Sequence, residues 1–274
     1  MSGRGVALVT GASSGIGEAT AAALQRDGFR VYAGARRIEL MDRLRELGIC
    51  PLRLDVTDDR SMLDAVELIH REAGRIDLLV NNAGYGSYGA LEDIVMEEAR
   101  RQIEVNLIGL ARMTQLVVPE MRLAGKGMII NISSIGGRLG EAFGAWYHAS
   151  KYALEGLGDS LALELAPFGV KVVTVEPGGI KSEWTDIAAD SLVSASGKGP
   201  YRDAAEHKAQ RMRSFTNSRL MGTPEQVARG VVRITHKRNP RLRYAIGGGA
   251  KPLMLLRRVT SDRLFYAMFR RMAG

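Results

Sequence analysis

Short runs of apolar, mostly β-branched residues alternate along the first 180 residues with longer segments that show helical periodicity. The run Val6–Val9, for example, precedes a glycine-rich turn, and apolar residues then recur on one stripe from Gly15 to Asp27. The apolar runs are continuous rather than alternating, which is typical of strands buried on both faces. The pattern therefore predicts a doubly wound α/β fold, with a mostly parallel sheet and helices on both faces.

The same pattern predicts the remaining elements of one core. Further strands are predicted at Phe29–Gly34, Leu52–Leu54, Ile76–Val80, Met128–Ile132, Val170–Val175 and Arg243–Gly247, with helices at Ile38–Leu47 and Asp59–Glu72 and a long helix ending near Pro167. No sequence period repeats, and no low-complexity linker interrupts the chain. Residues 183–218 follow the sixth strand and are predicted to form either a lid over a site or an ordinary surface excursion.

Composition changes this picture little, but the charge is unevenly distributed. The 274 residues carry a formal net charge of +8, and 46% of them are hydrophobic, as in an ordinary globular protein. Residues 233–274 contain eleven basic residues and one acid, so the excess positive charge lies near the C-terminus. A single cysteine, and no signal peptide or spanning segment in the sequence, favour a cytoplasmic location. Four scattered histidines indicate no metal site.

The first apolar run leads directly into Thr10–Gly17, which contains three glycines, and then into a helix. Glycines at this place allow a tight turn and let the backbone approach a pyrophosphate, while the helix N-terminus offers amides and partial positive charge. A tight turn without a ligand is the alternative. The strand before the loop and the helix after it favour a dinucleotide site.

A tyrosine and a lysine, Tyr147 and Lys151, lie four residues apart where a helical pattern begins, and hence on one helix face. A nearby cation favours the phenolate form of a tyrosine, whose ordinary pKa is about 10. The lysine would thus bring the phenol closer to the pH at which general acid/base catalysis is most effective. Ser134 lies thirteen residues before the tyrosine, just after the predicted strand Met128–Ile132.

Together these motifs resemble the short-chain dehydrogenase/reductase family, of the compact single-domain type, over nearly all of residues 5–180. The resemblance implies that Ser134 hydrogen-bonds the substrate oxygen and that Tyr147 exchanges the proton. Lys151 would hold the ribose hydroxyls of the cofactor and lower the pKa of the tyrosine. The resemblance further implies that Asn106 anchors a water leading from the lysine towards solvent. The thirteen-residue spacing of the family selects Ser134 over Ser133, for which a structural role is expected.

The resemblance also implies a set of cofactor contacts. Thr10–Gly17 matches the cofactor loop of the family, and residues 81–84 match the Asn-Asn-Ala-Gly motif that stabilises the sheet and lines the adenosine side. Asp55 matches the adenine-contacting acid, and Pro177 and Gly178 match the segment that faces the nicotinamide. The complete expected set is Gly11, Ser13, Ser14, Gly15, Ile16, Gly17, Arg36, Arg37, Asp55, Val56, Asn82, Ala83, Gly84, Tyr147, Lys151, Pro177, Gly178, Ile180 and Ser182, the last in place of the usual threonine.

The type of cofactor is predicted from the residues after the second strand. An NAD-specific site carries an acid there for the ribose 2′-hydroxyl, whereas a 2′-phosphate requires arginine. The sequence has Arg36 and Arg37 at this place and no acid before Glu39, and guanidinium groups bind phosphate through a planar fork of donors. NADP(H) is therefore predicted over NAD(H). Arg36 is the stronger candidate, because Arg37 is equally consistent with a solvated helix start.

Bulky apolar residues are found on the expected substrate side. Phe143 and Trp184 are predicted, together with Ser134 and Tyr147, to contact the substrate. They favour a lipophilic ketone, aldehyde or alcohol, such as a steroid, a retinoid or a long-chain carbonyl compound, although packing between lid and core explains each of them equally well. The alternatives are a 3-oxoacyl thioester reductase of the fatty-acid type and a cofactor-sensing regulatory protein without catalysis.

Residues 250–274 are predicted to form a basic amphipathic extension to a Rossmann-type catalytic domain at residues 1–249. Aliphatic and aromatic residues are interleaved there with arginines, which is typical of a helix on an anionic membrane surface. A helix over the substrate mouth, or a subunit contact, is the alternative.

No motif supports nucleic-acid binding. The expected partners are a small apolar substrate and, from the resemblance, further copies of the chain in a homodimer or homotetramer.

Overall fold

A parallel sheet of seven strands forms the centre of the molecule. The computed structural model describes residues 3–216, 218 and 221–273, so residue 217 of the predicted lid and residue 274 of the predicted extension lie outside the described residues. The strands are β1 (Val6–Thr10), β2 (Arg30–Ala35), β3 (Cys50–Arg53), β4 (Leu78–Asn81), β5 (Gly127–Ile132), β6 (Val170–Pro177) and β7 (Arg243–Ile246). Their order is β3-β2-β1-β4-β5-β6-β7, and each neighbouring pair is parallel. The predicted fold class is confirmed.

The helices connect the strands and cover both faces of the sheet. They are α1 (Gly15–Arg26), α2 (Asp42–Glu46), α3 (Asp59–Ala73), α4 (Met96–Ile103), α5 (Gly109–Leu123), α6 (Ala145–Leu165), α7 (Glu183–Ser196), α8 (Arg202–Thr216), α9 (Pro224–Thr235), α10 (Ala250–Val259) and α11 (Asp262–Ala273). The prediction of one helix at Ile38–Leu47 is wrong, because a 3-10 turn at Ile38–Met41 precedes the short α2. Met41 departs from helical geometry (φ −107°, ψ 15°) where its side chain enters the core.

Two apolar layers, one on each face of the sheet, form the core. Successive strand residues point to opposite faces, so Val9 packs in the layer that contains α1 and α9, whereas Leu8 packs in the layer that contains α3 and α5. Both side chains are fully buried. This double burial explains why the strands are continuously apolar in sequence.

The order of the strands reverses between β1 and β4. The connections that leave these two neighbouring strands therefore run in opposite directions along the sheet, and a crevice opens at their carboxyl ends. The glycine-rich loop follows β1, and residues 82–84 follow β4. The fold thus brings two of the sequence motifs to the same crevice.

Beyond β6 the chain adds two helical pairs to this framework. Helices α7 and α8 pack on each other through small buried residues, including Ala188 and Ala205, so the predicted lid is a helical hairpin. Helices α10 and α11 follow β7 and lie against the body of the protein, where Phe265 is fully buried. Among the described residues, no helix combines the length and apolar character needed to cross a membrane.

Candidate active site

The loop between β1 and α1 is packed so closely that glycine is required in it. Gly11 has a φ of 65°, and a Cβ atom there would lie 2.7 Å from the Cα atom of Ala83. A Cβ atom on Gly17 would collide with the carbonyl oxygen of Gly11. The loop therefore packs directly against the segment after β4, and α1 packs directly against the loop.

Side chains from the same two segments hold this packing in place. The side-chain amide of Asn82 donates to the carbonyl oxygens of Thr10 and Gly11, at 2.9 and 3.1 Å. In return, the hydroxyl of Thr10 accepts from the backbone N–H groups of Asn82 and Ala83, both at 3.0 Å. These four bonds fasten the loop after β4 to the loop after β1.

A cavity of about 1540 Å³ lies at the carboxyl ends of the strands. All of the expected cofactor residues line it except Gly17, which is buried where α1 packs against the loop. Gly17 thus has a packing role against Gly11, and its contact with a cofactor stays a prediction. Ser14 begins α1 without a side-chain capping bond, so the first amides of the helix are left for an anion. The residues present fit a dinucleotide with its pyrophosphate at this helix end.

The two arginines after β2 differ in their surroundings. Arg36 is exposed and lines the cavity, and among the described residues no carboxylate pairs with it. The guanidinium of Arg37 lies 3.4 Å from the hydroxyl of Ser14 and 3.6 Å from the carboxylate of Glu183. Arg36 therefore keeps its positive charge available to an anion in the cavity, whereas that of Arg37 is partly compensated.

Ser134, Tyr147 and Lys151 come together on one wall of the cavity. Tyr147 and Lys151 lie one turn apart near the start of α6, and Ser134 follows β5 directly. The hydroxyl of Ser134 accepts from the backbone N–H of Gly136 at 2.9 Å and also hydrogen-bonds the phenol of Tyr147. The ammonium of Lys151 donates to the carbonyl oxygen of Ile132 at 3.0 Å.

Burial dominates the electrostatics of this group. It raises the pKa of Tyr147 to about 12, against the lowering effect of the hydrogen bond from Ser134. It lowers the pKa of Lys151 to about 8, against the raising effect of the Glu155 carboxylate. In the chain alone the cost of burying a phenolate thus dominates at Tyr147, and the lowering of its pKa by Lys151 stays a prediction.

Asn106 lies beside this group and not in the cavity wall. It belongs to a π-helical segment, Glu104–Ile108, between α4 and α5, and its side chain is buried. The amide nitrogen donates to the carbonyl oxygen of Tyr85 at 2.9 Å and to the hydroxyl of Ser150 at 3.0 Å, and the amide oxygen accepts from the N–H of Tyr85. The side chain of Asn106 therefore fastens the segment after β4 to α6.

A network of charged side chains lies behind Lys151. Glu155, one turn after Lys151 on α6, accepts from the guanidinium of Arg243 on β7 at 2.7 Å. Arg243 also bonds Asp159 on α6 and lies 3.8 Å from Glu176 on β6. Burial, together with the Glu155 carboxylate, raises the pKa of Glu176 to about 7. The i, i+4 spacing of Lys151 and Glu155 is the signal in the sequence that places this carboxylate beside the lysine.

Aromatic rings form the part of the cavity wall around Tyr147. The ring of Trp184 lies 5.2 Å from that of Tyr147, and Tyr88 lies 5.7 Å from Tyr147 and 5.9 Å from Trp184. Gly86 makes this possible, because a Cβ atom on it would collide with the indole of Trp184. Phe143 lines the same cavity and packs edge-on against Tyr201. Tyr88 was not predicted, since no motif marks it.

The C-terminal helix reaches the same cavity. Tyr266 and Phe269 of α11 line it, and the hydroxyl of Tyr266 accepts from the backbone N–H of Gly140 at 3.1 Å. The inner side of the described part of the helix therefore borders the cavity. Its outer side exposes Leu264 and Met268, so contact of that side with a membrane or a second subunit stays a prediction.

Comparisons with known proteins agree with this geometry. A sequence model of the family described as short chain dehydrogenase matches residues 5–192. The 3-ketodihydrosphingosine reductase of Bacteroides thetaiotaomicron is 38% identical over 244 residues, which cover 88% of this chain and 87% of that protein. Human 17-beta-hydroxysteroid dehydrogenase type 1 is 34% identical over 269 residues, covering 93% and 81%. A solved short-chain dehydrogenase from Streptomyces avermitilis has a TM-score of 0.81 at 34% identity and covers 98% of this chain and 97% of that one.

Proposed function

Because the chain belongs to the short-chain dehydrogenase/reductase family, we propose that it is an NADP(H)-dependent oxidoreductase. Its reaction would interconvert a lipophilic ketone or aldehyde and the corresponding alcohol, with Tyr147 as the general acid/base. Membership makes the chain an oxidoreductase that acts on a CH–OH group or the corresponding carbonyl with NAD(P). One observation carries the finer proposal. The phenol of Tyr147 is bonded to Ser134, lies one turn from Lys151 and packs against Trp184 inside a single large cavity.

The bound nicotinamide cofactor would supply or accept the hydride, and the side chains of the site would manage the proton and the charge. With its pKa raised to about 12 by burial, Tyr147 holds its proton at neutral pH, as a donor to a carbonyl oxygen must. Ser134 is placed to hydrogen-bond the same oxygen. Lys151, with a pKa lowered to about 8, remains mostly charged at neutral pH, and its ammonium would hold the ribose and favour the phenolate during alcohol oxidation.

The preference for NADP(H) is supported by the charge beside the cofactor loop. Arg36 lines the cavity without a carboxylate partner among the described residues. A guanidinium in that position is suited to a 2′-phosphate and offers no acceptor to a ribose 2′-hydroxyl. We assign Arg36 the main role, because Arg37 shares its charge with Glu183.

A lipophilic substrate is supported by the aromatic wall and by two relatives. Tyr88, Phe143 and Trp184 surround the phenol of Tyr147 or line the same cavity, and apolar walls of this kind bind apolar ligands. The names of the two relatives, a ketodihydrosphingosine reductase and a hydroxysteroid dehydrogenase, both denote lipophilic carbonyl or alcohol substrates. We extend that class, but neither individual compound, to this protein.

We also propose a homodimer or homotetramer in which α5 and α6 form the contact. Each of these helices exposes a large apolar residue, Leu123 and Leu163, with 83% and 77% of its surface accessible. Such residues are commonly covered in homo-oligomers. Light scattering is expected to give a mass of two or four chains, and Leu163→Glu is expected to lower it.

A substrate panel tests the proposed function. NADPH oxidation is followed by absorbance with a steroid ketone, a retinaldehyde, a long-chain ketone, a small water-soluble ketone and a 3-oxoacyl thioester. We expect kcat/KM for at least one lipophilic compound to exceed that for the small ketone by tenfold or more, because each buried methylene contributes about 0.8 kcal/mol. Turnover confined to the thioester would identify a fatty-acid-type reductase instead. Binding of NADPH without turnover of any carbonyl compound would favour a regulatory protein.

A further inference from the structure

The outward sides of the last two helices expose apolar and basic residues together. We call this set the C-terminal surface: Lys251, Leu255, Arg258 and Val259 on α10, with Arg263, Leu264 and Met268 on α11. Leu255 and Val259 are 62% and 69% exposed, and Leu264 is 51% exposed. The four α10 residues follow helical spacing and therefore share one face of that helix. Covering these three aliphatic side chains would remove apolar surface from water, which is favourable.

The inward sides of the same helices are already occupied by the body of the protein. Phe265 is fully buried, and Tyr266 bonds the backbone at Gly140. Arg257 also faces inward, where it pairs with Asp262 at 2.7 Å and donates to the carbonyl oxygen of Arg138. Consequently the helices are held in place from one side, and the C-terminal surface is left for a partner.

The basic residues of this surface differ from Arg257. Lys251, Arg258 and Arg263 are exposed, and in the part of the chain that the structure describes none of them forms an ion pair. Residues 233–274 as a whole carry eleven basic residues and one acid. The C-terminal surface therefore matches a partner that is negatively charged and also accepts aliphatic side chains.

We propose that the C-terminal surface docks on an anionic lipid bilayer, with its basic side chains against the headgroups and its aliphatic side chains in the interface. An anionic leaflet attracts each nearby lysine or arginine, and the boundary between headgroups and acyl chains accommodates exposed leucines. A second copy of the chain fits less well, because a two-fold contact would bring this positive surface against itself. The inference concerns this surface alone and stands whichever carbonyl compound is the substrate.

The cavity lies next to the proposed docking surface. Ile187 and Phe215 line the cavity and are each about half exposed, so they lie at its rim. Helix α11 contributes Tyr266 and Phe269 to the lining while Leu264 and Met268 face outwards. Docking would thus keep the cavity close to the bilayer, where lipophilic compounds concentrate.

Co-sedimentation of the full chain with lipid vesicles tests the proposal. Vesicles of phosphatidylcholine alone are compared with vesicles that also contain phosphatidylglycerol, at low and at high salt. We expect at least tenfold stronger binding to the anionic vesicles, weakened by salt. The double variant R258E/R263E is expected to lose at least tenfold in binding, and L255E/L264E is expected to lose a similar amount because the aliphatic contact is removed.

Two control variants match these changes elsewhere on the surface. Leu91→Glu alters a leucine that is as exposed as Leu255, and Arg26→Glu reverses an exposed arginine at the end of α1; both are expected to bind vesicles like the parent. Circular dichroism and turnover of a small soluble ketone establish that each variant is folded. Equal binding to both vesicle types, or unchanged binding of R258E/R263E, would overturn the proposal. A change in oligomer mass without any vesicle dependence would assign the surface to a second copy instead.

Discussion

The two sides of the cavity are built in different ways. On the cofactor side, side chains such as Thr10 and Asn82 bond the backbone and hold it in place, and glycines let two loops touch. On the substrate side, the rings of Tyr88, Tyr147 and Trp184 are themselves the wall. A backbone-built site admits few residue types at each position, whereas a wall of rings is achieved by many combinations. The difference explains why the cofactor side is readable in a short motif and the substrate side is not.

Removing the phenol where the two sides meet should have the largest effect. For Tyr147→Phe we expect turnover to fall by about 10³-fold, within the usual range for loss of a general acid, while NADPH binding measured by calorimetry stays within threefold of the parent. Tyr152→Phe, on the next turn of α6, is the matched control and should remain active. Residual turnover above a few per cent would mean that another group donates the proton.

The cofactor side is tested through its two arginines. Arg36→Ala is expected to reduce the ratio of kcat/KM for NADPH to that for NADH by about 10- to 100-fold, because a charge-assisted hydrogen bond contributes about 1.5–3 kcal/mol. Arg37→Ala should change the ratio less, since that guanidinium already faces Glu183. An unchanged ratio in Arg36→Ala would place the 2′-phosphate elsewhere. Equal changes in both variants would show that the two arginines act as one group.

The substrate side is tested by opening the aromatic wall. Trp184→Ala removes the ring that packs against Tyr147, and we expect KM for lipophilic substrates to rise about tenfold, since a buried large apolar side chain contributes about 1.5–3 kcal/mol. NADPH affinity should change little, and Trp184→Phe should restore most of the loss. A rise in KM of the same size for a small ketone would show that the ring orders the site as a whole and does not select the substrate.

The smallest effect on cofactor binding is expected from a substitution behind Lys151, at Glu155, which lies outside both sides of the cavity. The carboxylate of Glu155 opposes the lowering of the Lys151 pKa by burial. In Glu155→Gln the pKa of Lys151, already lowered to about 8 by burial, should fall further, so its ammonium charge is lost at a lower pH. We expect the pH above which NADPH affinity declines, measured by calorimetry, to move about half a pH unit or more towards acid.

Asp159→Asn is the matched control for that experiment. Asp159 also bonds Arg243, but it lies one turn further from Lys151 and is half exposed. It should leave the pH dependence of NADPH affinity near that of the parent. If Glu155→Gln and Asp159→Asn gave the same profile as the parent, the carboxylate of Glu155 would have no electrostatic role at the lysine.

Much of the fold was predictable from the sequence because local pattern and global architecture agree. The strands predicted at Val6–Val9 and Met128–Ile132 lie within one residue of β1 and β5, since burial on both faces requires unbroken apolar runs. The helix at Ile38–Leu47 failed, because insertion of Met41 into the core interrupts it. Burial of Met41 depends on the tertiary packing of the core, which periodicity does not reveal.

The candidate site divides in the same way. Ser134, Tyr147 and Lys151 were predicted from their spacing, and the structure brings them together, since a strand end and the start of a helix place them on one wall. Gly17 was expected to contact the cofactor and Asn106 to anchor a water, and the structure adds a support role for each, since Gly17 packs against Gly11 and Asn106 bonds Tyr85 and Ser150. A motif shows that a residue type is required at a position. It does not show whether that residue contacts a ligand itself or holds the backbone that contacts the ligand.

The sequence by itself determined the class of fold, the cofactor loop, the catalytic residues to be tested and the concentration of positive charge after residue 232. Each of these depends on residue type, periodicity or short spacing, which are local properties of the chain. Only the tertiary structure decided that Tyr88 joins the aromatic wall, that Glu155 lies behind Lys151 bonded to a strand 88 residues later, and that α11 turns one side to the cavity. These contacts join segments far apart in sequence, and packing of the whole core sets them.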